Sequence, residues 1–356
     1  MELSEIRENI DRIDSEIVEL FNQRFEFVEK VGEWKKDKKS AIFVPEREKS
    51  LLERLEKINR GVVSNQVLKA IYREVMAGAK ALEKDLSISF LGPEASFSQL
   101  AALAQFGDAV TFSPKNSISD VFKDIETGRS DYGCVPIENS TEGAINHTLD
   151  MFIHSNVKIC SEINMAIHHN LLSNTPAKDI KKIYSHAQIL GQCRSWLLEN
   201  YPNAEQVEMP SSAAAAKLAS IEDGSAAIAS KLAAQKYDLD ILLENIEDNG
   251  ENTTRFMILG KQDTVATGDD KTSICFSTNN KVGALYDSLL PFKEEGITLS
   301  FIESRPSKRV KWEYYFFVDL TGHISDEKVK KAIGKLEGIC QFVKILGSYP
   351  KSNNVV

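Results

Sequence analysis

The first 38 residues repeat their apolar side chains at the period of an α-helix. When positions are counted at about 100° per residue from Ile6, the large apolar residues fall within about 60° of it. These residues are Ile10, Ile13, Ile17, Leu20, Phe27, Val28 and Val31. The pattern predicts one helix over residues 4–38, roughly 50 Å long at a rise of about 1.5 Å per residue.

Two shorter helices are predicted to follow the long one. The first covers residues 45–61, with Pro45 in its first turn and Gly61 at its end, and the second covers residues 64–84. Neither is long enough to cover the apolar stripe of the long helix. We therefore expect copies of the chain to intertwine as a helical homodimer, alone or within a higher homo-oligomer.

Short apolar strands alternate with helical stretches from residue 87 onward. The predicted strands cover residues 87–92, 132–137, 157–172, 181–186 and 226–230. The predicted helices between them begin at about residue 96 and cover residues 117–128, 189–201 and 211–224. Such alternation is typical of an α/β domain with largely parallel sheets.

A polar stretch over residues 261–272 shows no apolar periodicity and is predicted to be a linker. Beyond it, strands are predicted at 273–279, 297–306, 312–322 and 341–350, with helices at 283–296 and 325–338. The order βαββαβ is that of a ferredoxin-like small domain. The fold class is therefore multi-domain α and α/β, with an all-α domain at 1–85, an α/β domain at 86–265 and a small domain at 271–352.

Composition narrows the classes of protein that fit this pattern. The net charge of −9 argues against general nucleic-acid binding. Residues 1–84 carry 17 basic and 17 acidic side chains, so the whole acidic excess lies in the remainder. No apolar run approaches the roughly 20 residues that span a bilayer, so no membrane is expected. The five cysteines form no C-x-x-C pair, which favours reduced thiols in a cytoplasmic protein, and no histidine spacing indicates a metal site.

Two cations lie in the centre of the apolar stripe of the first helix. On the same angular scale Arg24 lies at about 0° and Lys35 at about 20°. A buried charge without a partner costs several kcal/mol, so each needs one. The partner is either a glutamate of a neighbouring helix or a dianionic ligand in a dry pocket. Arg7, at about 100°, points away from Arg24 and can reach a site on a partner subunit.

A polar entrance precedes a short apolar strand in the sequence "NTTRFMILG". The strand is predicted at residues 256–260, and the threonines and arginine before it form either an ordinary polar loop or the wall of a cleft. Ser96 and Ser98 lie where a helix begins, and they act either as N-caps or as part of an anion site.

These segments resemble known families in a fixed order. "IRENIDRIDSEIVELFNQRFEFVEKVGEWK" followed by "VPERE" resembles the all-helical chorismate mutase domain. "FLGPEASFS", "VPIENSTEGAIN", "YSHAQILGQC" and "NTTRF" resemble prephenate dehydratase, and "GALYDSLLPFKEEGITLSFIESRP" resembles the phenylalanine-binding ACT domain. Together they cover nearly the whole chain in the order of the bifunctional chorismate mutase–prephenate dehydratases.

The first resemblance implies a rearrangement of chorismate to prephenate, which needs neither a nucleophile nor a cofactor. The protein must hold the substrate and stabilise negative charge on its ether oxygen. The catalytic residues carried over are Arg7 from the partner subunit, Arg24, Lys35, Arg47, Glu48 and Glu83. Glu83 must be protonated if it is to donate a hydrogen bond to that oxygen.

The second resemblance implies loss of carboxylate and hydroxide from prephenate to give phenylpyruvate. Thr254 is placed as the proton donor or relay to the leaving hydroxide, with Arg255 beside it to hold a carboxylate. The substrate-binding residues implied are Ser96, Ser98, Glu138, Asn139, Ser140, Ser185, His186, Gln188, Gln192, Asn252 and Thr253. His186 ranks below Thr254 as a proton-transfer group. The fold implied is two α/β lobes with the cleft between them, like a periplasmic binding protein.

The third resemblance implies that L-phenylalanine binds the small domain and inhibits the dehydratase. The residues carried over are Gly283, Ala284, Leu285, Glu303, Ser304, Arg305 and Pro306. A plain helix start and a plain hairpin turn are the alternatives. No cofactor or metal is implied.

Two other functions remain open at this point. One is an amino-acid-responsive binding protein with inactive sites, although such a sensor has no need of Arg24, Lys35, Arg47 and Thr254 together. The other is an enzyme with a single live activity, of which the dehydratase is the first candidate.

Overall fold

The computed structural model describes residues 2–38, 40–279, 281–307, 313–352 and 355–356. In chain order its α-helices are α1 (Leu3–Lys38), α2 (Pro45–Ile58), α3 (Asn65–Glu83), α4 (Phe97–Phe106), α5 (Ile118–Thr127), α6 (Asn146–His154), α7 (Ala187–Gln192), α8 (Arg194–Asn200), α9 (Ser212–Ala219), α10 (Lys231–Tyr237), α11 (Ala284–Glu294) and α12 (Glu327–Ile339). Its strands are β1 (Ser87–Leu91), β2 (Thr111–Lys115), β3 (Tyr132–Asn139), β4 (Gly143–Ala144), β5 (Lys158–Ala166), β6 (Asn170–Leu172), β7 (Lys182–Ser185), β8 (Glu205–Glu208), β9 (Ser225–Ala229), β10 (Ile241–Leu243), β11 (Thr253–Gly260), β12 (Asp270–Ser277), β13 (Leu299–Pro306), β14 (Tyr314–Thr321) and β15 (Phe342–Pro350).

The three predicted N-terminal helices are present, and the first is left largely uncovered. α2 starts at Pro45 as predicted, and the Ser64 hydroxyl caps α3 by accepting from the Val67 N–H. α2 and α3 share a small core of Leu51, Leu55 and Met76. No residue of α1 is buried, and its stripe residues from Ile6 to Val31, Val28 excepted, are 41% to 66% exposed.

The middle of the chain forms two sheets, and both are mixed. The first sheet has the order β2-β1-β3-β11-β5, with β4 paired to β3, and the second has the order β10-β6-β9-β7-β8. β1 is parallel to β2 and β3, but β11 runs antiparallel to both β3 and β5. The prediction of largely parallel sheets is therefore wrong, because the chain returns to the first sheet with β11 after building the second.

The predicted strand over residues 157–172 is two strands in different sheets. β5 ends at Ala166 in the first sheet, and β6 starts at Asn170 in the second. Both halves are apolar because both sheets bury them, so hydrophobicity alone does not mark the crossing between them. The chain crosses back between β10 and β11.

Two other boundaries differ from the prediction in ways that matter for the site. The strand expected at residues 256–260 begins at Thr253, so the polar residues of "TTR" belong to β11 itself. The helix expected over 189–201 is interrupted at Cys193, which separates α7 from α8.

The C-terminal segment has the predicted element order βαββαβ. Its antiparallel sheet has the strand order β13-β14-β12-β15. The predicted start of its third strand at residue 312 lies outside the described residues. One face of this sheet packs on α11 and α12, and the other shares a core with α5, α6 and the first sheet.

None of the described helices is long and apolar enough to cross a membrane. All five cysteines are free thiols.

Candidate active sites

A cavity of about 280 Å³ opens between the first and second sheets, and we call it the cleft. Most of the predicted substrate-binding residues line it, and Thr254 lies in its wall. These residues are Ser96, Ser98, Asn139, His186, Gln188, Gln192, Asn252 and Thr254. Apolar side chains such as Phe97, Ile145 and Phe256 complete the wall. Among the described residues that line the cleft, none is Asp, Glu, Lys or Arg.

The hydroxyl of Thr254 is oriented by Asn139 on the neighbouring strand. Asn139 Nδ2 donates to Thr254 Oγ1 at 2.8 Å. The orientation of the Asn139 amide is fixed, because its Oδ1 accepts from the backbone N–H groups of Thr141 and Glu142 at 3.0 and 3.1 Å. Since Thr254 Oγ1 already accepts one hydrogen bond, its own hydrogen is free to be donated into the cleft.

Arg255 lies on the other side of β11, which corrects the expectation that it sits beside Thr254 in the cleft. Successive residues of a strand point to opposite faces. Arg255 Nε donates to Glu162 at 2.8 Å, its Nη1 pairs with Asp319 at 2.6 Å, and its Nη2 donates to the Tyr349 hydroxyl at 3.0 Å. The guanidinium is therefore a buried link between β11 and the small domain.

Four other predicted substrate-binding residues also lie off the cleft. Glu138 alternates with Asn139 along β3 and approaches Arg255 at 3.6 Å. The buried Ser185 hydroxyl donates to the Ile228 carbonyl at 2.7 Å. Ser140 and Thr253 are hydrogen-bonded to each other: the Ser140 hydroxyl accepts from the Thr253 N–H at 3.0 Å, and the Ser140 N–H donates to the Thr253 carbonyl at 2.9 Å.

Helix N-termini, rather than cations, face the cleft. Ser96 caps α4, since its hydroxyl accepts from the Gln99 N–H, and Ser211 caps α9 by accepting from the Ala214 N–H. The capping interpretation of Ser96 therefore holds, and the anion interpretation is compatible with it. The first backbone N–H groups of a helix have no partner within the helix and favour negative charge.

His169 lines the cleft and was not selected from the sequence. It lies on the crossing between β5 and β6 and is 1% exposed. Burial holds the pKa of His169 below its usual range, so the ring is neutral near pH 7. The only signal in the sequence was the pair His168-His169, a polar break inside an otherwise apolar run.

The second candidate site lies between α1 and α3, and we call it the helical pocket. Lys35 Nζ pairs with Glu83 at 2.7 Å and also donates to the Ile42 carbonyl at 3.0 Å. Gly32 allows this approach, because a Cβ there would lie 3.3 Å from Glu83 Cγ. The ion-pair interpretation of Lys35 is thus realised, with Glu83 as the partner. A cavity of about 780 Å³ adjoins the pair.

Arg24 differs from Lys35 because its charge is not matched. Its Nη1 is buried and has no hydrogen-bond partner within the described part of the chain. Burial lowers the pKa of Arg24; the nearby Tyr72 raises it in part, and Arg47 lowers it. No ion pair with a carboxylate is seen for Arg24 or Arg47 among the described residues, and two such neighbouring guanidinium groups favour an anion.

Two other predicted residues of the helical pocket, Arg7 and Glu48, do not line the cavity beside Lys35 and Glu83. Arg7 lies exposed near the start of α1. Glu48 pairs with the buried Lys80 at 2.8 Å and accepts from Gln105 Nε2 at 3.3 Å. Since Gln105 belongs to α4, Glu48 links the helical domain to the first sheet's domain.

The seven predicted effector residues do not all face one site. β13 alternates, so Ser304 and Pro306 are exposed, whereas Glu303 and Arg305 point to the opposite, half-buried face. Arg305 forms a two-pronged pair with Asp150 of α6, at 3.1 and 3.2 Å. This corrects the expectation that the four consecutive residues act together.

The other part of that set, Gly283, Ala284 and Leu285, opens α11. Gly283 has a φ of 79°, which favours glycine.

Comparisons with known proteins agree with two catalytic segments. Residues 6–84 match the family described as chorismate mutase type II, and residues 88–264 match prephenate dehydratase. The chain is 46% identical to the bifunctional chorismate mutase/prephenate dehydratase of Aquifex aeolicus, over 99% of this chain and 98% of the relative.

Two solved structures share the fold of about three quarters of the chain. Prephenate dehydratase from Arthrobacter aurescens, in complex with L-Phe, matches with a TM-score of 0.70 and 34% identity over 75% of this chain and 90% of that one. Prephenate dehydratase from Staphylococcus aureus matches with a TM-score of 0.65 and 31% identity over 74% and 100%.

Proposed function

The chain belongs to the bifunctional chorismate mutase/prephenate dehydratases, and from that premise we propose which of its residues perform the two reactions. The cleft is the dehydratase site and the helical pocket is the mutase site. The assignment of the cleft as the dehydratase site rests on the hydrogen bond from Asn139 to Thr254 Oγ1. This bond leaves the hydroxyl hydrogen of Thr254 free to be donated to a ligand in the cleft.

In the dehydratase reaction the ring carboxylate leaves as carbon dioxide and its electron pair enters the ring. The bond to the ring hydroxyl breaks, and the departing hydroxide takes the proton of Thr254. Thr254 acts as a positioned donor that solvent reprotonates. Aromatisation of the ring provides the driving force, so no strong acid is required.

The two carboxylates of prephenate are held at the N-termini of α4 and α9. This assignment rests on the capped helix ends that face the cleft and on the position of Arg255 behind the strand. Oriented N–H groups stabilise carboxylates without bringing a mobile cation into the cleft. The two sheets then serve as two lobes around the substrate, in the manner of a periplasmic binding protein.

The test of this proposal is the Thr254→Val variant, which keeps the shape and deletes the hydroxyl. We expect prephenate turnover to fall by about 10²- to 10³-fold, the usual cost of a positioned donor. Thr254→Ser, which retains the hydroxyl, is the matched control. A coupled assay that starts from chorismate and follows both prephenate and phenylpyruvate also separates a bifunctional enzyme from a sensor or a single-activity enzyme. Wild-type turnover by Thr254→Val would remove the assigned role.

In the helical pocket, Arg24 and Arg47 bind the carboxylates of chorismate, and Arg7 of a second copy completes the site. Lys35 reaches the ether oxygen once the substrate displaces it from Glu83. The exposed stripe of α1 supports the required dimer, because apolar patches of this extent normally mark an interface.

L-Phenylalanine acts as end-product inhibitor by binding the small domain near Gly283 and the exposed Ser304. The proposal is supported by the L-Phe complex of the Arthrobacter aurescens relative. An effector shifts the enzyme only if it binds a less active arrangement more tightly.

A further inference from the structure

Two segments connect the sheets on either side of the cleft, and each contributes one polar side chain to its wall. His169 lies on the outgoing segment between β5 and β6, and Asn252 lies on the return just before β11. The Ile246 N–H donates to the His169 carbonyl at 2.8 Å, so the two segments are bonded to each other.

A continuous chain of hydrogen bonds joins these residues to Thr254. His169 Nε2 is 2.8 Å from Gln192 Oε1, and Asn252 Nδ2 donates to the same oxygen at 3.4 Å. Asn139 Nδ2 in turn donates to Asn252 Oδ1 and to Thr254 Oγ1, both at 2.8 Å.

The direction of each hydrogen bond follows from Asn139, whose Oδ1 accepts from two backbone N–H groups and whose Nδ2 must therefore donate to Asn252 Oδ1. This leaves Asn252 Nδ2 as the donor to Gln192. Gln192 Oε1 accepts from Asn252, so it is an acceptor for His169 as well, and the hydrogen of the neutral ring is on Nε2. His169 Nδ1 is then a bare lone pair, and it has no hydrogen-bond partner among the residues that the structure describes. The backbone N–H of His169 is held by Glu247 at 2.9 Å.

The consequence falls on Gln192. Because its Oε1 takes up two donors, the Nε2 hydrogens of Gln192 are left for a partner outside this chain of bonds, and Gln192 lines the cleft. A primary amide can rotate by 180°, and the rotated form would present its carbonyl oxygen to a dianionic substrate. In the rotated form Gln192 Nε2 would face Asn252 Nδ2, and because both groups are donors, the hydrogen bond between the two side chains would be lost. The rotation would also move the hydrogen of His169 from Nε2 to Nδ1, where no described residue accepts it, so the ring opposes the rotation.

We propose that His169 is a positioning residue for the dehydratase reaction: it fixes Gln192 so that the amide N–H₂ group faces prephenate. Through Asn252 it also supports the Asn139 bond that directs the Thr254 hydroxyl. The inference rests on the assignment of the cleft as the dehydratase site. His169 acts through Gln192 and does not itself exchange a proton with the substrate.

Two substitutions in the full-length chain separate the ring nitrogens. In His169→Gln the amide nitrogen reaches the place of Nε2 and can still donate to Gln192. In His169→Asn the amide reaches only the place of Nδ1. We expect His169→Asn to lower kcat/KM for prephenate by about 10- to 100-fold with a raised KM, and His169→Gln to stay within about threefold of wild type. A thermal unfolding transition like that of wild type reports that the two sheets of each variant are folded, and chorismate mutase activity reports the same for the helical domain.

A double-mutant cycle tests whether His169 acts through Gln192. In a Gln192→Ala background, His169→Asn should have little further effect, because the group that it orients is already absent. Full additivity would overturn the proposal. So would equal activity of the Gln and Asn variants, or an active Asn variant beside an inactive Gln variant, which would make Nδ1 the working group. Thr254→Val in parallel distinguishes the causes: if it is inactive while the His169 variants are silent, only this inference fails, and if it is fully active the site assignment itself fails.

Discussion

The cleft and the helical pocket differ in how far one chain completes them. In the cleft, Thr254, Asn139, Asn252 and Gln192 are joined by hydrogen bonds inside a single chain. In the helical pocket, Arg24 keeps a buried nitrogen without a partner in the described part of the chain, and the helix that carries it buries no residue.

The difference follows from where each site lies in the fold. The cleft lies between two sheets that have their own cores, so hydrogen bonds within a single chain hold its polar groups. The helical pocket lies on a helix whose apolar face is exposed in the single chain. Under the proposed function, a partner subunit and an anionic substrate stabilise the unmatched charge there. The hypothesis that follows is that one site is preorganised within a chain and that the other is completed by association.

The largest expected effect is a loss of mutase activity alone, caused by a substitution in the helical pocket. Arg24→Ala removes the unmatched cation, so we expect chorismate turnover to fall by about 10²- to 10³-fold while prephenate dehydration stays near wild type. Separate assays with chorismate and with prephenate measure this. Arg12→Ala is the matched control, because Arg12 is an exposed arginine of the same helix whose ion pair, with Glu16, lies within that helix. Equal loss of both activities would show that Arg24 is structural.

An intermediate effect tests completion by a second copy. Arg7→Ala and Arg24→Ala chains are each expected to lack mutase activity. In a mixed dimer one site regains both arginines, so random mixing should restore about a quarter of the wild-type sites. Mutase activity after subunit exchange, confirmed by mass, is the measurement. An inactive mixture with proven exchange would count against a shared site.

The sequence predicted well the elements that have a long periodic pattern of apolar residues. The ends of α1 and α3 fall within a residue of their predicted positions, and the βαββαβ order is present. The crossing inside residues 157–172 was missed because both of its flanks are buried, and the antiparallel placement of β11 depends on contacts remote in sequence. Local pattern carries no information about either.

The site predictions failed where neighbouring residues in a motif were assigned one role. Arg255 follows Thr254, and Arg305 follows Ser304, yet each pair lies on a strand and points to opposite faces. In both cases the arginine leaves the expected site and bonds across a domain junction, to Asp319 and to Asp150. His169 was missed because the residues that hold it are 23 or more positions away in the sequence, so no local motif marks it.

The smallest expected effect is a change in inhibition by L-phenylalanine, which we expect to act more strongly on the cleft than on the helical pocket. Arg255, next to Thr254, is bonded to Asp319 and Tyr349 of the small domain, so a shift of that domain acts on the cleft strand. We therefore expect L-phenylalanine to inhibit the dehydratase more strongly than the mutase. Gly283→Leu should raise the phenylalanine concentration for half-inhibition by about 5- to 100-fold, a coupling of about 1–3 kcal/mol, and leave uninhibited turnover largely unchanged.

The control for this variant is Gly296→Leu, near the other end of α11. Gly283 and Gly296 both have positive φ, at 79° and 66°, and an added Cβ meets nothing within 4 Å at either. Backbone strain is therefore similar in the two variants, and only Gly283 lies at the proposed effector site. Dehydratase rate against phenylalanine concentration should shift for Gly283→Leu and not for Gly296→Leu. Identical curves for wild type and Gly283→Leu would place the effector elsewhere, and equal shifts in both variants would indicate a general loosening of the small domain.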